Sequence, residues 1–552
     1  MSQIAPRLVV GVDFGTLSAR ALVVDARSGR ELGGAVMDYP HGVMTEALPD
    51  GTPLAADWAL QHPGDLIACL GRVVPDALRA AGASPGDVAG LGLDVTACTA
   101  MPVDAENRPL CLKPQFAAVP HAWMMLWKHH AAQAHASRMT DIARARGEAF
   151  LDRYGGRVSP EWLFPRLWQI LDEAPEVYAA ADRFIDAADW LVQRLTGSDA
   201  RAEGISGYKY FRDKAAGYPP EDFFAALDPR LRHVARDKLR GTPCPIGGRA
   251  GALTGEGAAL TGLLPGTPVA AGNIDAHVSM PCVGRVGPGD YLMILGTSTC
   301  HMFLSETGAP IPGICGVVEY GIMPGLYGYE AGQTCVGDSF AWFVQRCCPA
   351  SAAAGRDPHQ WLTERAAALR PGESGLMALD WWNGNRSVLV DADLSGLLVG
   401  LTLATRPEEI YRALIESTAY GARMIVENFE RHGAAVGRMF ACGGIAKKNP
   451  LLMQIYADVL NRELRVAASE QSGALGSAIF AAAAAGLYDT VSDAAAVMGG
   501  LDGRIYRPDP QSAAVYDALY REYAALHDWF GRGGSDAMKR LRALRDANRR
   551  LK

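Results

Sequence analysis

The sequence lacks the features that would place the protein in a membrane or in an oxidising compartment. No stretch of about 18 or more apolar residues occurs, so a membrane-spanning helix is not expected. The eleven cysteines include no Cys-x-x-Cys pair and their number is odd, which indicates neither a disulfide framework nor a zinc site. Residues 1–6 contain no basic region followed by an apolar one, as a secretory leader would. We therefore expect a cytoplasmic protein with reduced thiols.

The charge pattern argues against nucleic acid as a partner. The net charge is −7, and no block of basic residues stands out before residues 539–552. Hydrophobic residues make up 49% and charged residues 20%, as in a globular chain. A length of 552 residues exceeds one ordinary hydrophobic core, so two domains are expected.

A strand, a turn and a second strand occur twice in the sequence, which predicts an internal duplication. In the first copy, the predicted strands 8–14 and 19–25 flank Gly15-Thr16. In the second, residues 290–295 and 300–304 flank Gly296-Thr297-Ser298-Thr299. The second copy starts near residue 290, so we predict an N-terminal domain over residues 1–284 and a C-terminal domain over residues 285–552.

Predicted helices follow the strands in both halves. The predicted helices cover residues 65–81, 160–178, 407–432, 450–461, 474–486, 511–531 and 535–551. Asn449 can cap the helix that starts at Pro450, where no backbone N–H is needed. The mixture predicts an α/β fold with a central sheet in each domain and a cleft between them.

The glycine turns are candidates for phosphate binding. Asp13 ends an apolar strand and Gly15 follows, so backbone N–H groups could approach a phosphate while the carboxylate binds Mg²⁺. Such a turn alone is usually only structural, but a nucleotide held between two domains needs one loop from each, and Gly296-Thr297 supplies the second. Gly443-Gly444 could accept a flat base, or could be a helix-packing pair.

A longer pattern resembles a known family. The residues Gly396-Leu397-Leu398-Val399-Gly400-Leu401 are followed, after seven residues, by Glu409-Ile410-Tyr411-Arg412-Ala413-Leu414-Ile415-Glu416. This pattern is similar to the second signature of the FGGY carbohydrate kinases, and the resemblance runs from about Val9 to about Tyr488. It implies two actin-like (ribonuclease H-like) ATPase domains with a central cleft, and ATP-dependent, Mg²⁺-assisted phosphorylation of a sugar. It also implies that the domain over residues 1–284 binds the sugar and carries the first phosphate loop, and that the domain over residues 285–552 binds the nucleotide and ends in the closing helices.

Further segments are most similar to the family members that phosphorylate L-ribulose. These segments are residues 93–99, 127–128, 207–209, 272–277, 296–300, 330–333, 379–384 and 443–449. The resemblance implies phosphoryl transfer to the terminal (C5) hydroxyl of a ketopentose, in arabinose catabolism. The alternatives are a D-ribulose, xylulose or polyol kinase, and an ATP-binding sensor on the same fold without turnover.

The resemblance also implies roles for individual residues. Asp275 corresponds to the catalytic base. Because the transition state of phosphoryl transfer is loose, the position of this carboxylate matters more than its basicity. The implied sugar contacts are Ala97, Trp127, Lys209, Asp275 and Glu330. The implied ATP contacts are Gly15, Thr16, Gly296, Thr297, Gly444 and Asn449, with Asp13 and Asp94 on the Mg²⁺ side. Considered singly, Trp127 reads as core, Lys209 as a solvated charge and Asn449 as a helix cap.

One position departs from the pattern, because His129 stands where related members have an aspartate. If that carboxylate shapes the sugar pocket, the preferred pentulose differs. The expected partners are the sugar and ATP, with no nucleic acid or membrane. The sequence does not determine the oligomeric state, for which a homodimer is the working expectation.

Overall fold

The computed structural model describes residues 7–348, 353 and 355–549. Residues 1–6 and the predicted end of the last helix beyond residue 549 lie outside this description. Two seven-stranded sheets organise the chain, one in each half. No helix in the described part is both long and apolar enough to cross a membrane.

The first sheet is built around strand Leu8–Phe14, which is buried along its whole length. This strand pairs antiparallel with Ser18–Asp25 and parallel with Val88–Val95. In spatial order the strands are Arg249–Ala252, Pro268–Ala270, Val88–Val95, Leu8–Phe14, Ser18–Asp25 and Glu31–Asp38, with Asn273–Ile274 beside Val88–Val95.

The second sheet repeats this arrangement. Strand Tyr291–Leu295 pairs antiparallel with Thr299–Ser305 and parallel with Met439–Cys442. In spatial order the strands are Gly316–Glu319, Tyr327–Gln333, Thr299–Ser305, Tyr291–Leu295, Met439–Cys442, Leu464–Ala467 and Leu501–Tyr506. The predicted internal duplication is therefore confirmed at the level of strand order and direction.

Smaller sheets and the helices complete both halves. A four-stranded sheet orders Leu60–Gln61, Met124–Met125, Ala100–Val103 and Arg183–Asp186, and two-stranded sheets pair Ala200–Ala202 with Thr242–Cys244 and Met377–Leu379 with Leu397–Val399. The α-helices are Pro63–Ala81, Gln133–Arg146, Leu163–Glu173, Pro175–Ala180, Ala187–Thr196, Glu203–Lys209, Glu221–Leu227, Val234–Lys238, Gly255–Thr261, Asp275–Val278, Gly337–Trp342, Pro358–Ala367, Pro407–Arg431, Gly444–Lys448, Pro450–Leu460, Ser472–Ala484, Val491–Met498, Pro510–Gly531 and Ala537–Arg549.

Most predicted helices agree with the structure to within two residues, but one was wrong. Residues 160–178 form two helices, Leu163–Glu173 and Pro175–Ala180, rather than one. Pro175 has no backbone N–H and disfavours the helical conformation of the residue before it, so the first helix ends at Glu173.

Helix Ser472–Ala484, here called the interface helix, belongs by sequence to the second half but packs on the first sheet. It crosses strands Leu8–Phe14 and Val88–Val95 at glycines. A Cβ on Gly11 would lie 1.8 Å from the Ala474 carbonyl oxygen, and one on Gly92 would lie 2.1 Å from that of Ser477. Only glycine permits this close approach, which brings the start of the helix next to Asp13.

Candidate active site

A cleft of about 520 Å³ lies where segments of the two halves meet. Its lining includes both predicted hairpin turns, Gly15-Thr16 from the first sheet and Gly296-Thr297 from the second. In each turn the glycine N–H donates to a serine carbonyl, Ser18 in the first and Ser298 in the second, at 3.0 Å. The two turns therefore face one space rather than separate regions of solvent.

Two further glycine segments reach the same cleft. Gly443 has φ +91° and lies so close to the second sheet that a Cβ would come 2.5 Å from the Leu295 carbonyl oxygen. Gly444, which has no heavy atom within 4 Å of its Cβ position, opens the next helix. Gly473, which the sequence analysis did not single out, lies against Asp13, with 2.9 Å from its Cβ position to the carboxylate.

Asp13 and Asp94 are neighbours on adjacent parallel strands, but only Asp13 lines the cleft. Arg20 Nη1 donates to Asp13 Oδ2 at 3.1 Å. Asp94 is fully buried behind it, where its Oδ2 accepts from Ser477 Oγ at 2.5 Å and its Oδ1 has no hydrogen-bond partner within the described part of the chain. Burial and the charge of Asp13 raise the pKa of Asp94 well above its ordinary value.

Asp275 opens a short helix directly after strand Asn273–Ile274 and lines the cleft. Its Oδ1 accepts from the Ala276 N–H at 2.8 Å. Burial, and then the charge of Asp13, raise the pKa of Asp275 to about 7. A carboxyl group with this pKa exchanges its proton near neutral pH, as a general base must.

Lys209 and Glu330 form a buried ion pair that joins the two halves of the chain. Lys209 Nζ lies 2.7 Å and 3.0 Å from the two Glu330 carboxylate oxygens, and His277 Nε2 lies 3.0 Å from Oε2. Burial opposes the charge of Glu330, but Lys209 and His277 hold its pKa well below the ordinary value. Burial lowers the pKa of His277, which favours its neutral form. The pair thus presents fixed donors and an acceptor at one end of the cleft.

Trp127 and a second ion pair complete that end. Trp127 Nε1 donates to Thr16 Oγ1 at 3.1 Å, which ties the indole ring to the first turn. Arg386 donates to both carboxylate oxygens of Glu161 at 2.7 Å and 2.8 Å, and its guanidinium lies 5.8 Å from the centre of the Trp127 ring. The sequence analysis missed this pair, because its members are 225 residues apart and neither belongs to a recognisable motif.

The structure brings most of the predicted site residues together and leaves two outside. The cleft lining contains Asp13, Gly15, Thr16, Ala97, Trp127, Lys209, Asp275, Gly296, Thr297, Glu330 and Gly444. Asp94 lies behind Asp13, as described above. Asn449 is not in the lining, and its side chain accepts from the Leu452 N–H at 3.0 Å as the cap of helix Pro450–Leu460.

His129 also lies outside the cleft lining and is fully buried. Its ring packs edge-on against Trp58 at 4.7 Å, and burial and the nearby Arg166 lower its pKa well below the ordinary value. Arg166 in turn donates to the His129 carbonyl oxygen. The residue at position 129 therefore does not line the cleft, and this departure from the pattern gives no direct reason to expect a different sugar.

The chain is similar to known proteins over most of its length. The models of the N-terminal and C-terminal domains of the FGGY family of carbohydrate kinases match residues 8–282 and 291–485. The chain is similar to a ribulokinase of Geobacillus thermodenitrificans, with 53% identity over 99% of this chain and 98% of the relative. A ribulokinase of Anoxybacillus flavithermus is 52% identical with the same coverage. Among solved structures, a xylulose kinase from Rhodospirillum rubrum superposes with a TM-score of 0.78 at 26% identity, covering 94% of this chain and 98% of that one.

Proposed function

Since the chain belongs to the FGGY family of carbohydrate kinases, we propose that it phosphorylates L-ribulose at the C5 hydroxyl. It is an ATP-dependent sugar kinase that acts on a ketopentose, with the sugar and ATP as its small-molecule substrates. The proposal adds the L configuration, the product L-ribulose 5-phosphate, and a place in arabinose catabolism. Support comes from full-length relatives named ribulokinase that share about half of their residues with this chain.

The single observation that carries the mechanism is the position of Asp275. Its carboxylate lies in the same cleft as the two glycine turns and the Lys209–Glu330 pair. In the proposed step, Asp275 accepts the proton of the C5 hydroxyl as the O5–Pγ bond forms and the bond from Pγ to the β–γ bridging oxygen breaks, releasing ADP. The transition state is loose, so holding the hydroxyl in line contributes more than the basicity of the carboxylate.

The sugar would lie between Trp127 and the Lys209–Glu330 pair. The indole ring offers an apolar surface to the C–H face of the sugar, while Lys209 donates and Glu330 accepts hydrogen bonds. Ala97 lines the same region and leaves space because it has only a methyl side chain. Since each ionic group already has its partner, the protein does not have to reorganise them when the sugar binds.

The triphosphate would lie on the glycine turns. The Gly15 and Gly296 N–H groups already donate to serine carbonyls within their turns. The N–H groups of Thr16 and Thr297 can approach phosphate oxygens, because the glycine before each of them has no Cβ. Gly444 has no side chain and its Cβ position faces open space, so the nucleotide can lie against its backbone. Asn449 remains a predicted nucleotide contact, although its side chain is already used as a helix cap.

The residues near Asp13 fit Mg²⁺. A hard divalent cation takes carboxylate and water oxygens, and the Asp13 carboxylate faces the cleft. Among the residues that the structure describes, none hydrogen-bonds to Asp94 Oδ1 behind it. Asp13 would hold the ion and Asp94 would support it. When bound, Mg²⁺ would neutralise charge on the phosphates and so favour transfer. Within this proposal, Arg20 orients Asp13 through its 3.1 Å hydrogen bond.

The test is a panel of sugars in an ADP-release assay with ATP and Mg²⁺. L-ribulose should give the highest kcat/KM; faster turnover of xylulose, D-ribulose or a polyol would reject the proposed sugar. Asp275→Asn should keep nucleotide binding and lose phosphorylation by at least about a thousandfold. A matched control is Asp489→Asn, which should keep normal activity because Asp489 is exposed and lies outside the cleft lining.

The remaining parts of the proposal concern the assembly and its location. We propose a homodimer, to be checked by light scattering of the purified full chain, and a cytoplasmic location, where ATP is available. The domain division at residues 284 and 285 also stays a prediction, to be checked by limited proteolysis.

A further inference from the structure

A second cavity of about 440 Å³ lies on the far side of the sugar end of the cleft. Glu161, Lys209, Glu330 and Arg386 line both cavities, so the two cavities meet at the two ion pairs. The Lys209–Glu330 pair, which the proposed function assigns to the sugar, can therefore be reached from two sides.

This cavity is lined by solvent-exposed residues at its outer part and by the buried Lys209 and Glu330 at its inner part. One face of helix Gln133–Arg146 forms the outer part through Gln133, Ser137, Asp141 and Arg144, all of which are exposed. The second half supplies the opposite wall. Two contacts connect residues that line this cavity. Arg157 Nη1 donates to the Val390 carbonyl oxygen at 2.9 Å, and Lys539 forms an ion pair with Asp391 at 2.6 Å.

The chemistry of the lining fits a neutral, polyhydroxylated ligand. The charged side chains balance in number, with the cations Arg144, Arg157, Lys209, Arg386 and Lys539 and the anions Asp141, Glu161, Glu330, Asp391 and Asp393. Hydroxyl and amide groups, such as those of Ser137, Thr334, Asn383 and Asn385, supply donors and acceptors between them. A triphosphate would meet no net positive potential here, whereas an uncharged sugar would meet hydrogen-bonding partners along the whole wall.

We propose that this second cavity is the route by which the sugar reaches the Lys209–Glu330 pair, while the nucleotide uses the main cleft. The inference rests on the proposed function, because it takes the Lys209–Glu330 end as the sugar site. It implies that a bound nucleotide does not block the sugar, so the two substrates can bind in either order.

The test uses stopped-flow tryptophan fluorescence on the full chain, mixing L-ribulose with enzyme saturated with Mg²⁺ and ADP. In the unmodified enzyme, ADP should change the association rate constant of L-ribulose by less than about threefold. Ser137→Phe and Gln133→Phe narrow the outer cavity and should each slow association and dissociation at least about tenfold while Kd changes less than about twofold. Ala134→Phe is the matched control, since Ala134 is exposed on the same helix but does not line the cavity, and it should change neither rate.

The outcomes separate this inference from the proposed function. If both cavity variants keep the normal association rate, or if ADP stops sugar association in the unmodified enzyme, the sugar enters through the main cleft and the inference is wrong. If Kd rises while the association rate stays normal, the cavity is part of the binding site rather than a route, which also overturns it. If the unmodified enzyme prefers another ketopentose, the proposed sugar fails, and the same rates measured with that sugar still decide the route.

Discussion

Replacing Asp275 by asparagine should stabilise the protein while abolishing its activity. The carboxyl group has its pKa raised from 3.8 to about 7 by burial and by the charge of Asp13, so ionising it in the folded protein is unfavourable. Because the folded-state pKa lies above the unfolded one, this destabilisation is absent in acid, begins above about pH 4 and is complete above about pH 7. Asparagine keeps an oxygen that can accept from the Ala276 N–H but carries no charge.

The magnitude follows from the shift. A difference of about three pKa units corresponds to ~4 kcal/mol at pH 8 and to less than half of that at pH 5. Asp275 is partly exposed to the cleft, where water screens its charge, so ~2 kcal/mol at pH 8 is the better expectation. In a chain of this size that raises the thermal midpoint by about 2 °C.

The assay is calorimetry at matched scan rates, at pH 5 and pH 8, without nucleotide. Asp290→Asn is the contrasting variant, since the Asp290 carboxylate stabilises the fold by accepting hydrogen bonds from Arg438 and from the Gly287 N–H. This variant should lose stability at both pH values. An Asp275→Asn midpoint at or below that of the unmodified protein at pH 8 would refute the reasoning. So would a gain that is as large at pH 5 as at pH 8.

Two further variants test individual contacts. Glu330→Gln removes the charge that pairs with Lys209, so the KM for the sugar should rise at least about tenfold while the KM for ATP changes less than about twofold. Steady-state kinetics with each substrate varied in turn measure both constants. An unchanged KM for the sugar would contradict this prediction. Asn449→Ala removes the cap of helix Pro450–Leu460 and should cost ~1 kcal/mol in unfolding experiments, which Asn449→Asp restores. If both Asn449 variants raise the KM for ATP, the residue also contacts the nucleotide.

The local elements were predictable because their signals are local. Strand Leu8–Phe14 is apolar except for Asp13, and Pro450 after Asn449 marks a helix start; both predictions agree with the structure. That the two glycine turns face the same cleft could be predicted as well, because the pattern of strand, glycine turn and strand occurs twice in the sequence. The cleft residues Lys209 and Glu330 came only from the family resemblance, since nothing in their neighbours distinguishes a buried ion pair from two surface charges.

Other features could not be read from the sequence for a physical reason. The Glu161–Arg386 pair depends on the three-dimensional approach of two loops, and no periodicity encodes it. The approach of Gly473 to Asp13 depends on how the interface helix crosses the first sheet. The role of His129 was also uncertain, because its burial against Trp58 is decided by packing far from it in sequence.

The interface helix has a consequence for how the chain is made. Strands Leu8–Phe14 and Val88–Val95 are synthesised early, but the helix that covers them is residues 472–484. A nascent chain must therefore emerge almost to its end before the surface of the first sheet that this helix covers is shielded from water. We expect the isolated N-terminal half to aggregate when expressed alone, and to become soluble when a peptide spanning the interface helix is supplied with it.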